Sequence, residues 1–306
     1  MKYLVIGAGG VGGVLAGLLA KNGYDVSLVA RGSHLDKIKS EGLNIISNAF
    51  GNFRVKINAF NQNEYNQKPD VIFICTKYYS IIEILPLIKK VSNKNTIIIP
   101  LVNGFQTGKK IQEKLDGLTV LEGCIYIASC INKDGEILHT SNHVRIFFGK
   151  RENQLVPDEK LKQIETELNL SSIDAKYSSD IKNDTFTKFS LISPFAACGV
   201  YLDVNIGEMQ KENTRARKVF LNLLYELKNI AKALNLEVSS TLVDKNLEAL
   251  KEYAPSTISS CYRDYKNNHQ TEVENLIYDV VSLAKELNVK ALQYEEIAQN
   301  LKNRGL

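Results

Sequence analysis

The 306-residue sequence predicts an α/β domain with a parallel, doubly wound sheet, followed by an all-α domain. Three observations support this prediction. Strands and helices alternate through the first half, which favours a parallel sheet with helices on both faces. A glycine-rich turn at residues 7–12 joins the first strand to the first helix. From residue 183 onward, almost every segment has helical periodicity. We therefore predict domains at residues 1–178 and 179–306.

The elements of the first domain follow from apolar runs and from the residues that interrupt them. Short apolar runs predict buried strands, and Asn103-Gly104 is typical of a turn that leaves a strand. Pro86 lies inside a helical pattern and is expected to bend that helix. The predicted strands cover residues 1–6, 25–29, 71–75, 96–101, 135–140, 144–149 and 172–177, and the predicted helices cover residues 11–20, 81–91 and 158–168.

The second domain is predicted to be built from amphipathic helices. Apolar residues recur there at a spacing of three and four, which gives each helix one face for a core. With a nucleotide domain in front, the active site is expected in the cleft between the two domains. The helical segments cover residues 214–234, 242–252, 256–266, 272–287 and 292–303.

Composition limits the class of protein. A net charge of +4 and 44% hydrophobic residues describe a soluble chain without nucleic-acid bias. No apolar run reaches the roughly 18 to 20 residues that a membrane span needs. The five cysteines are scattered without a C-x-x-C pair, which is typical of reduced thiols in a cytoplasmic protein. No membrane or nucleic-acid partner is expected, and the composition is compatible with a homodimer.

His139 and His143 are separated by three residues, a spacing that can bind a metal ion. They are predicted to lie on two strands about a turn at Ser141-Asn142, and not on one face of a helix. This H-x-x-x-H spacing makes a metal site mainly on a helix, so no metal is expected.

The run Gly7-Ala8-Gly9-Gly10-Val11-Gly12 matches the pattern G-x-G-x-x-G in its required context, between a strand and a helix. Gly7 would allow a tight turn, Gly9 would let the backbone approach a pyrophosphate, and Gly12 would let helix and strand pack closely. The helix N-terminus would supply free N–H groups to the phosphates. The sequence therefore predicts a Rossmann-type dinucleotide site.

Arg31 follows the second predicted strand, where an NAD-selective site usually carries an acidic residue that binds the ribose 2′-hydroxyl. An arginine there can pair with a 2′-phosphate through two charge-assisted hydrogen bonds. This predicts NADP(H) as the cofactor. The alternative is an ordinary exposed arginine without a ligand.

Two charged residues of the second half fall on apolar stripes. Lys188 aligns with Ile192 and Phe195, and Glu272 aligns with Leu276 and Leu283. The lysine either extends its ammonium to water or points into a cleft. Glu272 is either a site residue or an acid favoured by the helix dipole in a first turn. Glu274, by contrast, is predicted to close a capping box with Thr271.

Over nearly its full length the chain resembles the ketopantoate reductase (2-dehydropantoate 2-reductase) family. The order and spacing of several short features carry the resemblance, although no single one is diagnostic. These features are the turn at residues 7–12, Arg31, Thr76-Lys77, Asn103-Gly104, Lys188, Gly207-Glu208, Ser259-Ser260 with Asp264, and Thr271-Glu272.

The resemblance implies hydride transfer from NADPH to the carbonyl carbon of a 2-oxo acid. It assigns Lys188 as proton donor and Glu272 as the group that holds the substrate or the lysine. Asn103 and Ser260 would contact cofactor ribose and substrate, and Thr76 and Lys77 would lie near the cofactor. The alternatives are a turn role for Asn103 and surface roles for Ser260 and Lys77.

The sequence departs from the family where the substrate would bind. Ile192 and Ala196 stand where the family usually has asparagines, which makes the expected pocket more apolar. Ketopantoate remains the leading substrate, and a more apolar branched or aromatic 2-oxo acid is the alternative. A non-catalytic NADP-binding protein is a third possibility, although such a protein needs no proton donor on an apolar face.

Overall fold

The computed structural model describes all residues from 1 to 306, and the chain folds into two compact units. The N-terminal unit comprises residues 1–102 and 106–184, and the helical unit comprises residues 103–105 and 185–306. Each has its own buried apolar core. None of the helices combines the length and the apolar composition that a bilayer-spanning segment needs.

The N-terminal unit contains thirteen strands and five helices. The strands are β1 (Lys2–Ile6), β2 (Asp25–Val29), β3 (Leu43–Ser47), β4 (Phe53–Val55), β5 (Asn58–Phe60), β6 (Val71–Ile74), β7 (Ile97–Pro100), β8 (Thr119–Val120), β9 (Glu122–Tyr126), β10 (Ser129–Lys133), β11 (Glu136–His139), β12 (Arg145–Gly149) and β13 (Asp174–Tyr177). The helices are α1 (Gly10–Lys21), α2 (Gly32–Glu41), α3 (Ile81–Val91), α4 (Thr107–Gln112) and α5 (Asp158–Leu170).

A six-stranded parallel sheet in the order β5-β2-β1-β6-β7-β8 forms the centre of this unit. Its strands β6 and β7 are apolar throughout because both faces of the sheet are covered. Tyr3 and Val5 of β1 enter one core, whereas Leu4 and Ile6 enter the other. The strand order reverses between β1 and β6, so the loops that follow these two strands diverge at the point where α/β sheets bind ligands. The predicted parallel α/β class is confirmed.

Two smaller sheets complete the N-terminal unit, in the orders β10-β11-β3-β4 and β13-β12-β9. The two strands predicted on either side of Ser141-Asn142 exist as β11 and β12, but they lie in different sheets and do not form a hairpin. His139 of β11 is buried and its ring nitrogens contact the hydroxyls of Ser47 and Ser141. The prediction also missed β3 to β5, because polar residues interrupt their short apolar runs.

The helical unit is built around α6, which starts in the N-terminal unit and continues into this one. Its core is formed by apolar faces of the amphipathic helices. The helices are α6 (Ile181–Leu202), α7 (Ile206–Gln210), α8 (Arg215–Ala233), α9 (Leu242–Lys251), α10 (Ser260–Lys266), α11 (Asp279–Glu286) and α12 (Leu292–Asn303), with a π-helical segment at Glu274–Tyr278 directly before α11.

Two predicted helices begin later than expected. The segment predicted at 256–266 becomes helical only at Ser260, because the Ser259 hydroxyl caps the helix by accepting from the Tyr262 N–H at 3.1 Å. The helix predicted at 272–287 starts at Val273 and passes at once into the π segment. The capping box between Thr271 and Glu274 was wrong, since no side chain caps this helix start.

Candidate active site

The loop between β1 and α1 packs tightly against the chain that follows β6. Gly7 has a φ of +105°, and a Cβ there would lie 2.9 Å from the main-chain carbon of Cys75. A Cβ on Gly12 would lie 1.9 Å from the Gly7 carbonyl oxygen, and one on Gly10 would lie 2.5 Å from that of Ser129. These three glycines are therefore required by packing.

Gly9 differs from the other glycines of the loop. A Cβ there would have no atom within 4 Å, so its outer side is open space. Gly9 also precedes the first residue of α1, where no side chain caps the helix and no acidic residue lies in the first turn. Open space in front of free N–H groups at a helix N-terminus fits a pyrophosphate.

The loop after β6 adds a polar group beside the glycine turn. The Thr76 main-chain nitrogen lies 3.0 Å from the position of a Gly7 Cβ. The Thr76 hydroxyl is buried and has no hydrogen-bond partner, so it is available to a ligand. Lys77 follows at the start of a short 3₁₀ turn, half-buried. These contacts place Gly7 and Thr76 next to each other.

The sequence reasoning missed His34, which supports the glycine loop from α2. The imidazole is buried, with Nε2 2.9 Å from the carbonyl oxygen of Ala8. Its Nδ1 accepts from the Gly135 N–H at 3.0 Å, so the proton resides on Nε2 and the ring donates to Ala8. Without coordinates, a lone histidine on a short amphipathic helix gives no signal for this role.

Arg31 lies just beyond β2, at the residue that precedes α2. Its side chain is 85% exposed, and its Nη1 lies 3.6 Å from Oε2 of Glu83, which is itself 60% exposed. An ion pair between such exposed groups contributes little, about 0–1 kcal/mol. The contact with Glu83 therefore holds the guanidinium only weakly.

Lys188 is buried in the helical unit, with only 7% of its surface exposed. It lies on α6, and its Nζ donates to Oδ1 of Asn103 at 2.9 Å. Asn103 is placed by its neighbours, because Gly104 turns the chain with a φ of +127° and Phe105 packs edge-on against Phe186 at a ring distance of 4.9 Å. The structure thus joins two predicted site residues that are 85 positions apart.

The segment that contains Glu272 also contacts Asn103 and α6. Asn275 donates from Nδ2 to the main-chain oxygen of Asn103 at 2.6 Å. A second tie comes from Ser193 of α6, whose hydroxyl donates to the Leu276 carbonyl at 2.6 Å. Residues 103–105, α6 and residues 272–278 therefore form one hydrogen-bonded cluster.

Glu272 is only 2% exposed, as expected for an inward residue, and Leu276, the nearer residue of its predicted stripe, is also 2% exposed. The residue lies before the helix, and the π segment changes the spacing that follows. Leu283, predicted on its stripe, is only half-buried, whereas Val280 and Ala284 are buried. Burial of the carboxylate is thus set by tertiary packing.

The remaining predicted substrate residues lie on two helices. Ser260 is half-buried as the first residue of α10, next to the capping hydroxyl of Ser259. Ile192 lies half-buried one turn after Lys188 on α6, and Ala196 one turn further is 1% exposed. Hydrocarbon therefore occupies the two positions where the family resemblance leads one to expect amides.

A parallel sheet with an open glycine loop at its switch point, followed by a helical unit with a buried lysine, is typical of a dinucleotide-dependent oxidoreductase. Residues 3–153 match the model of the family Ketopantoate reductase PanE/ApbA, and residues 180–305 match the model of its C-terminal part. The chain belongs to the ketopantoate reductase family, which confirms the resemblance noted in the sequence.

Individual relatives agree with this assignment. The chain is 26% identical to Uncharacterized oxidoreductase YkpB of Bacillus subtilis (strain 168), over 98% of each chain. The crystal structure of 2-dehydropantoate 2-reductase from Methylococcus capsulatus is similar with a TM-score of 0.87 and 21% identity, over 100% of this chain and 97% of that one. A ternary structure of D-mandelate dehydrogenase with NADH and anilino(oxo)acetate is similar with a TM-score of 0.86 and 20% identity, over 98% and 96%. These two structures share the fold.

Substitution of Gly9 and Gly12 separates cofactor binding from folding. Gly9→Ala should leave thermal stability unchanged, because its φ of −70° suits alanine and its Cβ meets no atom. It should weaken dinucleotide binding at least about tenfold, or about 1.4 kcal/mol, since the methyl group occupies space meant for phosphate. Fluorescence titration with NADPH and NADH measures the dissociation constants.

Gly12→Ala should instead lower the melting temperature. Normal dinucleotide binding by Gly9→Ala would show that the loop is not the phosphate site.

Proposed function

We propose that this chain catalyses the NADPH-dependent reduction of 2-dehydropantoate to pantoate, a step in pantothenate and coenzyme A biosynthesis. Membership of the ketopantoate reductase family makes it a 2-oxo acid reductase. The particular substrate and the preference for NADPH are our proposal. The main structural support for reductase chemistry is the buried ammonium of Lys188, which donates a hydrogen bond to the amide oxygen of Asn103.

The proposed reaction needs a cation at the ketone oxygen. NADPH, when bound, supplies the hydride that adds to the carbonyl carbon. As the C–H bond forms, the electron pair of the C=O π bond moves onto oxygen, where negative charge develops. An ammonium held in a largely dry site stabilises that charge and donates the proton that completes the hydroxyl group. Lys188 is the group assigned to this step, and its neutral amine regains a proton from solvent.

Glu272 and Asn103 are proposed to keep the lysine ready for this role. A carboxylate that is 2% exposed requires a cation or hydrogen-bond donors, and both the lysine and a substrate hydroxyl could supply them. Asn103 already accepts from Nζ, which orients the ammonium. We assign Glu272 to holding the substrate or the lysine, and Ser260 to substrate contact.

The cofactor site is proposed along the loops of the N-terminal unit. Gly9 and the start of α1 would bind the pyrophosphate, while Thr76 and Lys77 would lie beside it. Arg31 would bind the 2′-phosphate, for which its exposed guanidinium is free to move. Asn103 would contact the ribose as well as the substrate.

A second candidate substrate is a more apolar branched or aromatic 2-oxo acid. Ile192 and Ala196 favour it, because neither offers a hydrogen bond to a substrate hydroxyl. The structural similarity to a protein named D-mandelate dehydrogenase is in line with such a substrate. In both cases the proposed partner is a small molecule, and the chemistry at the carbonyl is the same.

A panel of 2-oxo acids tests the proposed function directly. NADPH consumption is followed with ketopantoate, 2-oxoisovalerate, 2-oxoisocaproate and phenylglyoxylate. We expect kcat/KM for ketopantoate to exceed the others by about a hundredfold, or about 3 kcal/mol. A preference for phenylglyoxylate or 2-oxoisocaproate would establish the apolar alternative. Binding of NADPH without its oxidation by any member of the panel would contradict the assignment as a reductase.

Lys188→Ala tests the proton donor. Turnover should fall at least about a hundredfold, the range expected for loss of a general acid. The dissociation constant for NADPH should change less than about threefold. Lys218→Ala, which removes an exposed lysine of α8, is the matched control and should behave as wild type. Near-normal turnover of Lys188→Ala would exclude the assigned role.

Arg31→Ala tests cofactor selection. KM for NADPH should rise at least about tenfold, because two charge-assisted hydrogen bonds to the phosphate are lost. KM for NADH should stay within about twofold, since NADH lacks that phosphate. Arg54→Ala, which removes another exposed arginine of the N-terminal unit, controls for the loss of a surface charge. An unchanged ratio of the two KM values would rule out Arg31 as the selecting residue.

A further inference from the structure

Asn275 carries an amide side chain that the sequence patterns did not single out. It is 1% exposed and lies three residues after Glu272. Its Nδ2 donates to the main-chain oxygen of Asn103 at 2.6 Å, and Asn103 accepts from Lys188 at 2.9 Å. Two hydrogen bonds and a single residue therefore connect Asn275 to the ammonium assigned to proton donation.

The other atom of this amide has no partner. Because the Asn103 oxygen can only accept, Nδ2 must face it, which leaves Oδ1 of Asn275 buried without a hydrogen bond. The other three buried side-chain atoms without a partner belong to Thr76, Ser92 and Ser129, all in the N-terminal unit. A buried acceptor left unpaired costs about 1–3 kcal/mol. Such a group in a native protein points to a ligand or a functional role.

The backbone around Asn275 is unusual as well. Residues 274–278 form a π-helical segment, a feature that is frequent at functional sites. The segment is fixed by the hydrogen bond from Ser193 to the Leu276 carbonyl. The amide oxygen is thus held in place by rigid neighbours, and the fold has already removed water from it. A donor that reaches it gains a hydrogen bond without the cost of dehydrating the acceptor.

We propose that Asn275 is a specificity-determining residue, and that its Oδ1 accepts a hydrogen bond from a hydroxyl group on the carbon chain of the substrate. This proposal rests on the proposed function. A carboxylate and a ketone are acceptors only, so the two groups that all 2-oxo acids share cannot satisfy Oδ1. The donor has to come from the rest of the molecule, and a hydroxylated 2-oxo acid supplies it.

Asn275 thereby provides the hydrogen-bond acceptor that α6 lacks at Ile192 and Ala196. Ile192 and Ala196 provide no acceptor for a substrate hydroxyl, whereas Asn275 provides one from another segment of the same hydrogen-bonded cluster. A site with a buried acceptor rejects an analogue that lacks the donor, because the acceptor then stays unpaired. The amide therefore selects a hydroxylated substrate over an apolar one of the same shape.

A matched pair of substrates tests this proposal. Ketopantoate and 3,3-dimethyl-2-oxobutanoate differ only in one hydroxyl group. In the wild-type protein, kcat/KM for ketopantoate should be at least about thirtyfold higher, within the range of one buried hydrogen bond. In Asn275→Leu this ratio should fall below about threefold. The lost bond to Asn103 affects both substrates alike, so it cancels in the ratio. Asn275→Ala serves as a second, smaller variant should the leucine variant fail to fold.

The control is Asn246→Leu, which removes another buried amide of the helical unit. That amide donates to the Ser190 hydroxyl and is not bonded to Asn103, so the ratio should stay at its wild-type value. No preference in the wild type, or a preference that survives in Asn275→Leu and Asn275→Ala, would overturn the proposal. Absence of turnover with every 2-oxo acid would defeat the proposed function instead. Calorimetric titration of the two compounds into the NADPH-loaded protein would then still decide the role of Asn275.

Discussion

The hydrogen bond between Lys188 and Asn103 is the interaction on which the proposed chemistry of the helical unit depends. A buried ammonium is costly unless an acceptor faces it, and the amide oxygen of Asn103 is such an acceptor. That oxygen comes from a three-residue segment, 103–105, that is flanked on both sides by residues of the N-terminal unit. The aromatic contact of Phe105 with Phe186 holds the segment in place, as does the hydrogen bond from the side-chain amide of Asn275. The placement of the proposed proton donor therefore relies on packing by residues that do not themselves react.

The glycines of the loop between β1 and α1 have different roles, and steric constraints distinguish them. Gly7, Gly10 and Gly12 are glycines because another part of the chain lies where their Cβ would be. Gly9 is different, since nothing of the protein fills the space in front of it. One motif thus packs α1 against the sheet and leaves open space where we propose that a phosphate binds. His34 adds to the first of these tasks by holding the Ala8 carbonyl.

We propose that the substrate preference of this chain depends on two features of the helical cluster. On α6, Ile192 and Ala196 remove hydrogen-bonding capacity, and by themselves they favour an apolar substrate. After Glu272, the buried Oδ1 of Asn275 has no hydrogen-bond partner and can accept a hydrogen bond from a substrate. The two features favour different substrates, so neither one alone predicts the substrate.

Local chemistry made much of this protein predictable from its sequence. Apolar runs of four or five residues gave β1, β6 and β7, and the glycine turn gave the start of α1, because strands, turns and caps depend on neighbours in the chain. Lys188 and Glu272 stood out since a charge on an apolar stripe is visible in periodicity alone. Only the tertiary structure paired β11 and β12 with different sheets, placed His34 under the loop, and brought Asn275 to Asn103 across 172 positions. Those contacts depend on how distant segments pack, and no short-range pattern records that packing.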